Sequence, residues 1–233
     1  MTAALLGAGG TMGRGMARRL AAAGIGVRAW NRSAEKIADL GGEAGITACP
    51  SAAEAAAGAD VLITMVSDGD AVLASMEGPE GGLAGAEAGA IWLQASTIGI
   101  EATARCAALA RERDLVFVDA PVLGTKRPAE EGQLVVLASG PEEARAALEP
   151  VFEAVGKRTL WLGEAGAGSR LKIAVNSWIV SVVEGTAEML ALAEALGLDP
   201  RLALEAVADG PLDLPYMRLK AKAMLERSFE PSF

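Results

Sequence analysis

The chain contains no histidine. Ser-His-Asp triads, Cys-His dyads and every His-ligated metal site are therefore excluded. Proton chemistry falls to Lys, Tyr, Cys, Asp, Glu or water. Cysteine is scarce: Cys49 and Cys106 have no ligand spacing between them, read as two reduced thiols, and imply no metal. Basic residues are the minority, 21 against 30 acidic, a net charge of −9 over 233 residues. Such a surface repels phosphate backbones and excludes nucleic acid as a partner, while leaving room for a local basic pocket. Long apolar runs are missing too. The most apolar helix candidate, Ile173–Val183, is interrupted by Asn176 and followed by Glu184 and Glu188, whereas a span needs ~20 apolar residues. No membrane partner is expected. No basic stretch precedes an apolar one at the N-terminus, so no signal peptide is expected, and the location expected is cytoplasmic.

What is present is alternation. Strand candidates are Ala3–Leu6, Val27–Trp30, Val61–Val66, Ala90–Gln94, Leu115–Asp119, Leu134–Ala138 and Thr159–Leu162. Helix candidates between them are Thr11–Ala23, Ser33–Leu40 with Ser33 as N-cap, Ile98–Arg111, and Pro141–Val155 with Pro at its first position. Strand-helix alternation implies an α/β fold with a doubly wound parallel sheet, the Rossmann type. The Gly-rich stretch Gly163–Gly168 marks a boundary, giving a dinucleotide-binding domain over 1–163 and a helical domain over 164–233. In the second, Ser169–Leu196, Pro200–Ala208 and Leu214–Arg227 are helical. Three helices, two of them short, are thin for an independent domain. The all-α region therefore reads as truncated, to be completed by further chain or by a second subunit.

Gly7-Ala8-Gly9-Gly10-Thr11-Met12-Gly13 follows a strand and opens a helix. Glycines there permit a tight turn and close approach to a pyrophosphate, which the helix N-terminus then attracts. The spacing GxGxxxG is one residue longer than the usual fingerprint. At the end of the second strand, where an NAD site carries an acid for the ribose 2′-hydroxyl, stand Asn31, Arg32 and Ser33. Arg32 suits a 2′-phosphate bidentately and its neighbours add hydrogen bonds, which predicts NADP over NAD.

Four segments then fall in order: Gly10–Ala17 with Trp30-Asn31-Arg32-Ser33; Ala95-Ser96-Thr97-Ile98; Asp119-Ala120-Pro121-Val122-Leu123-Gly124-Thr125-Lys126-Arg127-Pro128-Ala129-Glu130 running on to Leu134; and Gly166–Asn176. Together they resemble the β-hydroxyacid dehydrogenases, which include 3-hydroxyisobutyrate dehydrogenase and the glyoxylate/succinic semialdehyde reductases. The Lys126–Glu130 portion is most similar to the latter. The resemblance implies an NADP-dependent oxidoreductase interconverting a short hydroxy acid and its aldehyde or keto acid, without metal. It implies Lys172 as the catalytic residue, with Asn176 at i+4 on the same helix face. It implies a small carboxylate-bearing substrate held by Ser96, Val122, Leu123, Gly124, Thr125 and Asn176. For the cofactor it implies Gly7, Ala8, Gly9, Gly10, Thr11, Met12, Asn31, Arg32 and Ser33, joined by Met65, Val66, Ser67 and Ser96. A homodimer is expected. Lys at 172 favours a carbonyl over an imine substrate.

The chain departs from the family in the longer glycine loop and in Gln94, which stands where an acid is usual. The family also continues beyond a segment like Ser228–Phe233 into a helix with a Lys-Asp pair. Two other readings compete. Gly9, Gly13 and Gly15 with Tyr216 and Lys220 resemble a short-chain dehydrogenase, although Ala203 replaces its Ser and the Tyr-Lys pair follows the sheet. The other is a cofactor-binding module without turnover.

Overall fold

Short runs of small and branched apolar residues, covered on both faces, set the frame. A computed structural model describes residues 1–229; of the Ser228–Phe233 segment, residues 230–233 lie outside the described residues. Strands β1 (Thr2–Leu6), β4 (Val61–Thr64) and β5 (Ile91–Gln94) are buried almost throughout, as helices on both faces of a parallel sheet require. With β2 (Gly26–Trp30), β3 (Ile46–Ala48) and β6 (Val116–Asp119) they form a six-stranded parallel sheet in the order β3-β2-β1-β4-β5-β6. This is the doubly wound dinucleotide-binding order, whose switch point lies between β1 and β4.

One face is covered by α1 (Thr11–Ala22), α6 (Lys126–Glu130) and α7 (Glu143–Val155), burying Leu5, Met16, Leu20, Leu148 and Phe152. The other carries α2 (Ala52–Ala56), α3 (Gly69–Met76), α4 (Gly82–Gly85) and α5 (Gly99–Glu112) around Leu62, Met76 and Trp92. Cys49 and Cys106 are free thiols buried on this side, and burial pushes Cys106 up to about 11.

A second sheet follows. β7 (Val122–Leu123) runs antiparallel to β8 (Leu134–Ala138), which pairs parallel with β9 (Gly156–Trp161). A bridge between Asp119 and Ser139 ties the ends of β6 and β8. Helix α8 (Ala167–Ala195) then begins.

The chain forms two compact units, one from Met1 to Lys172 and one beginning at Ile173. The second contains most of α8, then α9 (Pro200–Val207) and α10 (Pro215–Glu226). Trp178, Val180 and Leu192 of α8, and Leu196 just after it, are 60% exposed or more. No helix among the described residues is long and apolar enough to cross a membrane.

Two expected elements differ. Ser33–Leu40 is not an α-helix but two 3₁₀ turns, Ala34–Ile37 and Leu40–Gly42, and the Ser33 side chain caps nothing. Only Ile37 and Leu40 are buried there, too few to stabilise a short helix by packing. Pro141 precedes α7 instead of opening it, and Pro150 lies inside that helix.

Candidate active site

The glycine loop is shaped by contacts that leave no room for side chains. Gly7 has φ +95°, and a Cβ there would fall on the Met65 carbonyl oxygen. A Cβ on Gly13 would fall on the Gly7 carbonyl oxygen. One on Gly9 would come within 2.8 Å of Asn31 Cγ. The N–H groups of Gly7 and Ala8 donate to Trp30 O at 2.9 and 3.1 Å. Gly9 N donates to Asn31 Oδ1 at 3.2 Å, and Asn31 Nδ2 donates to Ser33 O at 3.0 Å. Residues 31–33 are thereby bound to the loop itself. The N-terminus of α1 carries no side-chain cap and no acid in its first turn, so its amides and positive dipole end are left for an anion. A cradle that Cβ atoms would fill, beside an uncapped helix start, fits the pyrophosphate of a dinucleotide.

Gly10, Thr11 and Arg32 are exposed, and Met12 and Ser33 half-buried. Opposite Arg32, Asp68 caps α3 through Ala71 N at 2.8 Å. The Ser67 hydroxyl, the Ala71 amide and the charge of Arg32 all hold its carboxyl below the usual range.

Ser96 is 1% exposed. Its hydroxyl donates to Thr64 O at 3.2 Å and accepts from Val66 N at 2.9 Å, so it braces the Met65–Ser67 turn. Gln94 accepts from Ser96 N through Oε1 and donates from Nε2 to Ser96 O, both at 2.8 Å. The Trp92 indole N–H donates to Thr64 Oγ1 at 3.1 Å. Gln94 was noticed in the sequence only as a departure. Here it supplies both a donor and an acceptor, which an ionised acid could not do.

The loop from Val122 to Thr125 lies between β7 and α6. Gly124 has φ +139°, and a Cβ there would approach Leu134 Cδ2 at 2.7 Å and Pro128 Cβ at 3.1 Å. Thr125 stands at the N-cap of α6 with its hydroxyl uncommitted. α6 lies on α1, where a Cβ on Gly15 would come within 2.8 Å of Glu130 N. The helix that follows this loop is thus packed directly on the helix that opens from the glycine loop.

Lys172 reaches this loop from the first turns of α8. Its Nζ donates to the Val122 carbonyl at 2.8 Å. The side chain is half-buried, and burial lowers its pKa. Asn176 follows one helical turn later in α8. Asp119, to which the sequence reading gave no role, is fully buried at the end of β6. In the sequence it closes an apolar strand and opens the Asp119–Leu134 segment.

A family profile described as the NAD-binding domain of 6-phosphogluconate dehydrogenase matches residues 2–163, and one described as NAD-binding of NADP-dependent 3-hydroxyisobutyrate dehydrogenase matches 166–233. The chain belongs to the β-hydroxyacid dehydrogenase family. Glyoxylate/succinic semialdehyde reductase 2, chloroplastic, of Arabidopsis thaliana is 31% identical over 96% of this chain and 62% of its own length. Reductase 1 of the same organism is 32% identical over 96% of this chain and 77% of its own length. The chain therefore spans under two thirds of the first relative. The Mycobacterium tuberculosis 3-hydroxyisobutyrate dehydrogenase with L-serine superposes with a TM-score of 0.85 at 28% identity, over 100% of this chain and 80% of that one. This dehydrogenase membership leaves the short-chain reading unsupported. Tyr216 and Lys220 form a local pair on α10, the ammonium 5.4 Å from the ring centroid. Among the described residues no acid or cysteine cluster is placed to hold a metal ion.

Proposed function

We propose that this β-hydroxyacid dehydrogenase uses NADP(H) to interconvert a short hydroxy acid and its aldehyde or keto acid, with Lys172 as general acid and base. What supports this is the half-buried Lys172 ammonium, with no carboxylate partner among the described residues, held on the Val122 carbonyl two residues before Gly124. The bound nicotinamide supplies or accepts the hydride. Lys172 donates a proton to the carbonyl oxygen as it becomes an alkoxide, and withdraws it in the reverse direction. Its positive charge also stabilises that oxygen before the proton moves. Gly124 and Thr125 hold the substrate carboxylate through backbone and hydroxyl. The Ser96 hydroxyl donates to Thr64 O and accepts from Val66 N, so Ser96 holds the Met65–Ser67 turn against the cofactor.

Arg32 is exposed and enters no ion pair among the described residues, which supports NADP. A panel of glyoxylate, succinic semialdehyde and methylmalonate semialdehyde with NADPH, read as cofactor oxidation, tests the reading. At least one substrate should turn over, with a lower KM for NADPH than for NADH. Arg32→Ala should raise the NADPH constant about 10-fold, the loss of one charge-assisted contact of ~1.4 kcal/mol. Tight NADPH binding without turnover on any member would favour the non-catalytic module.

The exposed apolar side chains of α8 support a homodimer. Scattered apolar residues are ordinary, but Trp178 and Leu192, fourteen positions and so close to four helical turns apart, fall on one side of α8 and offer an association face. Solution mass should be twice the chain mass of 23.7 kDa; a monomer would reject this.

A further inference from the structure

The Asp119 carboxylate is 0% exposed, yet it sits in the part of the chain that carries Lys172. Its Oδ2 accepts from Ser169 N at 2.7 Å and its Oδ1 from Ser169 Oγ at 2.8 Å. The next amide back, Gly168 N, donates to Ser139 Oγ at 2.9 Å, and Ser139 itself leans on Asp119, with N to O at 2.8 Å. Ser169 Oγ also meets Thr103 Oγ1 of α5 at 3.1 Å. The second and third amides of α8 therefore find their partners at the ends of β6 and β8. A Cβ on Gly168 would fall on the Leu137 carbonyl oxygen, so the helix backbone rests directly on those strand ends.

These bonds close a ring. Three residues beyond Asp119 is Val122; three residues beyond Ser169 is Lys172. Asp119 grips Ser169 at one end, and Lys172 Nζ grips the Val122 carbonyl at the other. An extended arm and one helical turn are pinned together twice. We propose that Asp119 is a positioning residue for Lys172: its buried carboxylate, by accepting both donors of Ser169, fixes the first turn of α8 so that the ammonium stands on the Val122 carbonyl.

Chemistry supports a carboxylate in this place. It accepts two hydrogen bonds at once, and its charge suits the positive end of a helix. Burial pushes its pKa up, while the Ser169 amide, the Ser169 and Ser139 hydroxyls and the charge of Arg170 draw it down. The ionisable groups near it are Arg170 on α8 and the Cys106 thiol on α5. Burial lowers the Lys172 pKa, and Asp119 bonds to Ser169 while the ammonium bonds to the Val122 carbonyl, so Asp119 acts on it through placement.

The kinetic half of the test rests on the role proposed for Lys172; the labelling half does not. In the full chain, the pH dependence of Lys172 acetylation by acetic anhydride, followed by mass spectrometry, reads the ammonium directly. Asp119→Asn keeps the shape but loses one acceptor and the charge. It should move the Lys172 titration upward, toward an ordinary lysine, and lower kcat about 10- to 100-fold, as a displacement of about 1 Å does. The KM for the nicotinamide cofactor should stay near its original value. Ser169→Ala removes the hydroxyl contacts to Asp119 and Thr103 but keeps the amide bond to Asp119; it should give a smaller shift in the same direction, so it carries the test if the Asn variant does not fold. An unmoved Lys172 titration in a folded variant overturns the proposal. If Lys172→Ala retains turnover while the labelling shift persists, the catalytic reading fails and the positioning role stands.

Discussion

Lys172→Ala should lower the rate of carbonyl reduction about 10²- to 10⁴-fold, the usual worth of a positioned acid or base, and leave cofactor binding intact. The sign of the pH dependence follows from its surroundings. Burial disfavours the ammonium, so Lys172 loses its proton below the ordinary lysine value of 10.5. Reduction needs the protonated form and declines as pH rises through that lowered pKa. Oxidation of the hydroxy acid needs the neutral amine and rises across the same window. The two profiles of kcat/KM should cross as mirror images. The same shift acts weakly on stability: the unfolded chain holds this proton more tightly, so stability gains as pH climbs from the folded toward the unfolded value. Lys172→Met should remove the limb from both profiles. Undiminished turnover in either variant would defeat the assignment.

The second large effect belongs to the glycine loop. Gly13→Ala places a methyl group on the Gly7 carbonyl oxygen and against Ala8 Cα, so the turn must open at the point where α1 begins. The dissociation constant for the nicotinamide cofactor should rise about 100-fold, or ~2.8 kcal/mol. Gly7→Ala meets two obstacles: φ is +95°, and the methyl falls on the Met65 carbonyl oxygen just past the end of β4. Strain of this kind costs ~1–3 kcal/mol, and each kcal/mol lowers the melting temperature by about 2–4 °C at this chain length. Calorimetry separates the two, because Gly13→Ala acts chiefly on affinity and Gly7→Ala on Tm. Unchanged affinity in Gly13→Ala would remove the loop from the cofactor site.

Features that depend on neighbouring residues were legible in the sequence. Leu134–Ala138 is an apolar run between Gly132 and Gly140, and the strand has those bounds. Thr11 opens α1 because the glycines before it cannot continue a strand. The edge strand Ile46–Ala48 was not anticipated: three residues with only Ile46 buried carry no pattern. The same holds for α6, five residues kept in place by packing on α1 rather than by their own preferences. Within the site, the glycine loop and Lys172 were legible because each depends on backbone constraint or on a motif. The chain of Trp92, Thr64, Gln94 and Ser96 was not. It exists because β4 and β5 pair with Thr64 opposite Gln94, joining residues thirty positions apart. Asp119 was hidden for the same reason, since its partner Ser169 lies fifty positions away.

Asn31 has a bearing on engineering. Its carbonyl oxygen receives the Gly9 amide while its amide nitrogen holds Ser33 O. The part of the chain that would select the coenzyme and the part that would seat the diphosphate are therefore not separable modules. The obvious edit toward the other coenzyme is an acid at this position. Aspartate could still receive the Gly9 amide, but it has no hydrogen to give Ser33, and the Arg32 side chain would be released along with that turn. A redesign of coenzyme preference here has to replace the lost donor as well as the charge, which makes single substitutions poor starting points and paired changes at 31 and 33 the shortest useful step.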